Sequence, residues 1–324
     1  MKSFKLWAGL GLLAVVGVGF AREQAGPFFV ADFKRPAVNT HAAEPVFVPK
    51  KNVLAAGPWI TCQIPSKLRP RLRAQAACVV DCNSGKVLYG LNSLEPRPIA
   101  SLVKLLTAMV YLESGGDLDA TIEITPEDAK NAGKSILWKG HKFKARDVLY
   151  AALMSSENRA ARALARSTPY TQEQFIERMQ QRAIELGCTT LRVVEPTGLS
   201  EKNVASPQDV ARLLAAALSN KTISEICRTY RHQFKALNSR KVYRLTNSNR
   251  LLVSKYKMLG GKTGYIVEAG WCVAAMNDTK DGPLITVIMG SQSNNVRFTQ
   301  ARKLIEWAIR NRREASMFAA VTQP

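Results

Sequence analysis

The chain has 324 residues, enough for one large domain or two small ones. Its 46% apolar and 22% charged residues are ordinary for a globular protein and exclude a disordered or fibrous chain. Its 46 Lys and Arg against 25 Asp and Glu leave a net charge of +21, which favours polyanionic partners without choosing among them.

The first residues narrow the choice. Two lysines lie within Met1 to Lys5, and Leu6 to Phe20 is an unbroken stretch of apolar residues and glycine. Gly19-Phe20-Ala21 then places small residues where a signal peptidase reads. This is the layout of a secretory signal over residues 1–21. The stretch is short for a membrane span, although an uncleaved N-terminal anchor is the alternative. No cysteine follows the cleavage site, so no lipid anchor is expected there, nor any stable membrane anchor once the signal is removed. A periplasmic or otherwise extracytoplasmic location follows. Export, with no dense basic run and no aromatic–basic ladder, disfavours a nucleic-acid partner.

Residues 22–70 hold Pro27, Pro36, Pro45, Pro49, Pro58, Pro65 and Pro70 with little periodicity, and read as an irregular segment. Ala74 to Asp81 reads as a strand, Asn83-Ser84-Gly85 as a turn and Lys86 to Leu91 as a second strand. Ser101 to Glu113 reads as a helix stopped by Gly115-Gly116. It is apolar all round, as a central buried helix must be. Residues 146–218 read as mainly helical, with breaks near Ser155–Glu157, Ser167–Tyr170 and Glu195–Gly198. Strands return from Lys241. Trp271 to Met276 and Leu284 to Met289 flank a turn at 277–282, and Val296 to Arg313 closes as an amphipathic helix. The order predicts an α/β (α+β) fold: an antiparallel sheet built from both chain ends, with a helical subdomain between. The domain is expected over 71–313, followed by a tail at 314–324.

Cys62, Cys78, Cys82, Cys188, Cys227 and Cys272 are even in number, which permits disulfides in an exported protein without defining their pairing. Cys78 and Cys82 share a strand and stand roughly 13 Å apart, too far for a bridge. His41, His141 and His232 are isolated, and no cysteine spacing suits a metal, so neither metal nor organic cofactor is expected.

Three short motifs carry chemistry. Ser101-Leu102-Val103-Lys104 at a helix start puts a hydroxyl and an amine on one face, with Cβ atoms about 5–6 Å apart. Serine needs a nearby base, and lysine can be that base once burial lowers its pKa. Unpaired N–H groups at the helix start favour a developing oxyanion. The bland reading is an N-cap serine. Ser156-Glu157-Asn158 sits in a helix break, where its hydroxyl and amide can relay protons and hold a carbonyl, or merely cap and turn. Gly260-Gly261-Lys262-Thr263-Gly264, followed by Tyr265, can bind a carboxylate, or be a glycine-rich hairpin.

In this order the set resembles the signature of penicillin-binding proteins and class A β-lactamases, with Glu157 where that signature has Asp. The Pro98-Ile99-Ala100 approach, the stretch from Thr246 to Leu252 and Glu268-Ala269-Gly270-Trp271-Cys272 are similar to the D-alanyl-D-alanine carboxypeptidase family over roughly residues 70–312. Residues 152–161 and Glu195-Pro196-Thr197-Gly198-Leu199-Ser200 resemble its endopeptidase branch, penicillin-binding protein 7. The resemblance implies a β-lactamase/transpeptidase-like fold and a serine peptidase acting on peptidoglycan stem peptides and cross-links, inhibited by β-lactam antibiotics. By the same resemblance Ser101 is the acylated nucleophile and Lys104 its base, while Ser156 and Asn158 relay protons and position substrate. Lys262, Thr263 and Gly264 hold the substrate's carboxyl end, with Arg297 beside it. The N–H groups of Ser101 and Tyr265 form the oxyanion hole. Arg297 reads equally well as a surface arginine on the last helix. A carboxypeptidase is the first alternative, and the lack of a β-rich C-terminal domain after the last helix favours an endopeptidase. A class A β-lactamase is disfavoured because the neighbours of Glu195 are peptidase-like. A non-catalytic envelope-binding module is disfavoured by the intact Ser101, Lys104, Asn158 and Lys262.

Overall fold

The computed structural model describes residues 59–317. The signal at 1–21, the greater part of the irregular segment 22–70 and residues 318–324 of the tail lie outside the described residues.

Five strands form one antiparallel sheet in the order β2-β1-β11-β10-β9. β1 (Ala76–Asp81) and β2 (Val87–Leu91) come from the N-terminal side. β9 (Met258–Ile266), β10 (Gly270–Asn277) and β11 (Leu284–Ser291) come from the C-terminal side. β1 pairs with β11 over Ala76↔Met289 to Asp81↔Leu284, so the two chain ends meet at the sheet's centre. Every residue of β1 and of β11 is buried. Such strands are covered on both faces, which accounts for their continuous apolar runs. Alternate residues feed two cores: Cys78, Val80, Ile285 and Val287 face one, and Ala77, Val79, Leu284 and Ile288 the other.

The first core is closed by a helical layer. At its centre is α1 (Lys104–Glu113), whose residues 104–111 are all buried, as its all-round apolar pattern requires. The short α2 (Pro126–Ala129), then α3 (Ala145–Met154), α4 (Asn158–Arg166), α5 (Gln172–Glu185), α6 (Pro207–Ser219) and α7 (Lys221–Arg228) complete the layer. Three small ribbons pair β3 (Arg97–Pro98) with β6 (Val204–Ala205), β4 (Thr121–Glu123) with β5 (Lys142–Lys144), and β7 (Arg231–Lys235) with β8 (Val242–Thr246). The second core is closed by α8 (Asn294–Met317), which buries Phe298, Ala301, Leu304, Ile305 and Ala308 against the sheet.

Two boundaries differ from those the sequence suggests. Residues 59–70 lack regular structure apart from a 3-10 turn at Ser66–Leu68, yet Trp59, Cys62 and Ile64 are buried and Thr61 bridges to Val87. The folded unit thus takes in residues before 71. The last helix runs past Arg313, because buried Arg312 pairs with Asp81 and Ala315 is buried in the second core. The six cysteines, whose pairing the sequence left open, are all free and buried, and burial raises each thiol's pKa.

Candidate active site

Ser101 does not open an α-helix. It lies in a 3-10 turn over Ala100–Val103 that feeds α1, and its hydroxyl caps nothing. Ala100 before it has φ +48°, a left-handed conformation that costs a non-glycine residue energy and persists only where surroundings impose it. The surroundings here are close. The β3–β6 ribbon holds Arg97 and Pro98, and Ile99 N–H donates to Asn203 O at 3.0 Å. Gly198 has φ +83°, and a Cβ there would stand 2.0 Å from Ala100 O. A Cβ at Gly264 would stand 3.0 Å from Ser101 N. Gly198 requires glycine because backbone meets backbone at positive φ, and at Gly264 a side chain would press on the Ser101 backbone.

Lys104 is fully buried. Its Nζ lies 2.8 Å from Ser101 Oγ and 2.7 Å from Asn158 Oδ1, and it also bonds Thr197 O. Burial pulls its pKa down to about 7, while the carboxylates of Glu195 and Glu157 limit the fall. A neutral amine has two N–H donors and one lone pair. Thr197 O and Asn158 Oδ1 can only accept, so they take the two donors. The lone pair is left for Ser101, the one partner able to donate a proton. Asn158 is oriented by its other end, since Nδ2 donates to Ala132 O at 2.9 Å.

The Thr197 carbonyl is held by Glu195. Its carboxylate accepts from Thr197 N–H at 2.7 Å, Thr197 Oγ1 at 2.5 Å, Gly198 N–H at 2.6 Å and Asn203 Nδ2 at 2.7 Å. Glu195 therefore organises a loop. Those bonds occupy the carboxylate and leave little room for the water-activating role that a lactamase reading needs.

Ser156 follows α3 with φ +59°. Its hydroxyl accepts from Lys262 Nζ and faces Thr263 O at 3.5 Å. Glu157 turns away from the site, where it accepts from Ser135 Oγ and from Ile136 N–H at 3.3 Å. Lys262, on β9, is 1% exposed and donates to Thr263 O at 2.9 Å. Burial, and then the nearby Lys104, hold its pKa well below the usual lysine range.

Arg297 is not a surface arginine; it is 4% exposed. Nη1 donates to Gly264 O and Cys272 O, both at 3.0 Å, and Nη2 to Asn294 Oδ1 at 2.6 Å. Burial lowers its pKa to about 10. Its guanidinium lies 4.9 Å from the centre of the Trp271 ring, and the other ring stacked with Trp271, at 4.1 Å, is half-exposed Tyr265.

Ser101, Ser156, Asn158, Thr263, Gly264, Tyr265 and Arg297 all line one cavity of about 200 Å³. Lys104 and Lys262 lie beneath it, bonded to its serines. Ser248 and Trp271 also line the cavity and were not singled out from sequence. Ser248 Oγ is 2.6 Å from Thr263 Oγ1 and anchors to Met154 O at 3.0 Å. The stretch from Thr246 to Leu252 was its only signal. The Thr197 carbonyl had none, because any residue type carries a carbonyl. Among the described residues no His, Cys, Asp or Glu cluster could hold a metal.

A family model described as D-alanyl-D-alanine carboxypeptidase, peptidase S11, matches residues 63–293. The chain is 36% identical over 249 residues to a D-alanyl-D-alanine endopeptidase of Pseudomonas aeruginosa, covering 74% of this chain and 78% of that one. It is 33% identical to a protein of the same name from Escherichia coli, with the same coverage. Among solved structures it is similar to a mutant of the Streptomyces K15 DD-transpeptidase, with TM-score 0.70 and 26% identity, covering 75% of this chain and all of that one. It is also similar to cefotaxime-bound penicillin-binding protein D2 of Listeria monocytogenes, with TM-score 0.67 and 26% identity, covering 74% and 99%. The buried lysine bonded to Ser101, the three motifs around one cavity and these likenesses agree: the chain belongs to the D-alanyl-D-alanine carboxypeptidase family of serine peptidases, S11.

Proposed function

We propose that the protein is an exported DD-endopeptidase that hydrolyses peptidoglycan cross-links through an acyl-enzyme on Ser101. The observation that carries this reading is buried Lys104 Nζ 2.8 Å from Ser101 Oγ, with Asn158 Oδ1 and Thr197 O as its other partners. Lys104 takes the hydroxyl proton as Ser101 Oγ attacks the carbonyl of the penultimate D-alanine. The new oxyanion is received by the N–H groups of Ser101 and Tyr265; such donors contribute roughly 3–4 kcal/mol each. As the C–N bond breaks, the proton passes by way of Ser156 to the leaving amine. Water then attacks the ester, gives its proton back through Lys104 and frees Ser101. Thr263 and Arg297 line the cavity, with Lys262 beneath it, at the end suited to a substrate carboxylate, and Asn158 orients the amide. A β-lactam acylates the same serine.

Endopeptidase is preferred to carboxypeptidase because the two relatives above carry that name, as do residues 152–161 in their likeness. Digestion of purified peptidoglycan followed by muropeptide analysis tests it. Loss of cross-linked dimers supports the proposal. Conversion of pentapeptide monomers to tetrapeptides, with dimers intact, contradicts it. Export and a periplasmic location rest on the lysines and apolar stretch of residues 1–21. Among the described residues no helix is long and apolar enough to cross a membrane.

A further inference from the structure

Along α8, on the sheet face opposite the helical layer, runs the segment 66–73. The two lie antiparallel. Trp307 Nε1 donates to Leu68 O at 2.7 Å, Lys303 Nζ to Arg71 O at 2.7 Å, and the Arg73 N–H to Gln300 Oε1 at 2.8 Å. Exposure alternates along the segment. Leu68, Leu72 and Ala74 pack toward the second core, and Lys67, Arg69, Arg71 and Arg73 are exposed. On α8, Arg302, Lys303, Arg310 and Arg313 are exposed. At 3.6 residues per turn they fall within an arc of about 100°.

The eight cations thus form two adjacent lanes, interrupted by two carboxylates, Glu306 and Glu314. Among the described residues Glu306 pairs with Arg310 and with Lys255, and the other seven cations make no ion pair. Like charges held this close repel, and an anion laid across them relieves the repulsion. Three hydrogen bonds pin the segment's backbone to the helix, so the two lanes are set side by side before any ligand arrives.

We propose that this two-lane ridge is a docking surface for a linear, phosphate-bearing polymer of the cell envelope. A bilayer is a poorer match. α8 has its apolar face against the sheet, and among its large apolar side chains only Ile309 and Met317 are exposed, short of the continuous apolar face that interfacial helices insert among lipids. Single-stranded nucleic acid is a poorer match as well. Its binding grooves interleave aromatic side chains with cations, and the aromatic residues of α8, Phe298 and Trp307, are buried. The ridge is separate from the cavity around Ser101, so it stands or falls independently of the catalytic reading.

The test is titration of the full chain with inorganic polyphosphate of defined length, over a range of salt concentrations. Three proteins are compared: the parent, R69Q/R71Q/R73Q on the ridge, and K221Q/K235Q/R240Q, which removes the same charge from exposed positions elsewhere. Affinity of the parent should fall linearly in log–log form, with a slope of about −0.7 per phosphate contacted. The ridge variant should bind about tenfold or more weakly with a shallower slope, and the control within about twofold of the parent. All three should label equally with fluorescent penicillin, which shows that they fold. Equal losses in the two variants, or no loss in the ridge variant, would overturn the proposal. So would tighter binding to anionic phospholipid vesicles or to a DNA oligonucleotide of matched charge.

Discussion

Lys104 Nζ lies 2.8 Å from Ser101 Oγ, and Thr197 O and Asn158 Oδ1 occupy its two other bonding directions. The spacing of one helical turn supplies reach, and burial supplies the neutral amine near pH 7. The two acceptors supply direction, since they leave the amine's lone pair only the serine.

Substituting that base should stop acylation without unfolding the protein. For Lys104→Ala, the second-order rate of labelling by fluorescent penicillin should fall by about 10²–10⁴, the usual contribution of a general base. Stopped-flow or gel-based labelling checks it. A loss below about fivefold would mean that another group deprotonates Ser101.

Acylation should also depend on pH through Lys104. Its pKa is held near 7 by burial, and only the neutral form accepts a proton. The acylation rate should therefore rise as pH increases through about 7 and level off above it. Glu195→Gln and Glu157→Gln each remove a carboxylate that favours the charged amine, so each should shift the rising limb toward lower pH. A limb that moves toward higher pH in either variant contradicts this assignment of charges.

Glu195 separates the peptidase reading from the lactamase one. If it holds the Thr197 carbonyl, Glu195→Ala should slow acylation by about tenfold and lower stability by about 1–3 kcal/mol for the buried N–H groups left unpaired. The lifetime of the penicilloyl-enzyme should not change. A markedly longer lifetime would assign Glu195 to deacylation.

The last helix should depend on an ion pair far from the cavity. Arg312 bonds Asp81 at 2.5 and 3.0 Å, and both residues are buried. Burial works against the Asp81 charge, but bonds from Arg312 and from the Asn83 N–H outweigh it and lower the pKa. A carboxylate with a lowered folded-state pKa stabilises above its unfolded-state value. That stability is lost as pH falls through the folded value. Arg312→Met should cost about 3–5 kcal/mol in denaturant unfolding, because it leaves Asp81 charged and unpaired. An effect below about 1 kcal/mol would show the pair to be replaceable.

Much of this architecture was legible in the sequence. β1 shows as an apolar run because both its faces are covered, and α1 shows as a helix apolar all round because it is central. The Ser101, Ser156 and Lys262 motifs were legible as a set, since their residue types are restricted by chemistry. The turn at Ala100 was not. Its positive φ is imposed by neighbours such as Gly198 and Gly264, which are distant in sequence, and alanine has no preference for it. Nor was the alternation from Lys67 to Ala74, because prolines at 65 and 70 made the segment look irregular. The folded position of α8 is what turns Leu68 and Leu72 inward and the arginines out. Arg297 was ambiguous for the same reason: the helix pattern does not say which face meets Gly264.

The central claim is an acyl-enzyme on Ser101 formed with Lys104 as base. Mass spectrometry of the intact protein and its peptides after incubation with penicillin tests it directly. The account predicts one penicilloyl adduct, located on Ser101, absent from Ser101→Ala and strongly reduced in Lys104→Ala. An adduct on any other residue, or undiminished labelling of Ser101→Ala, would contradict it.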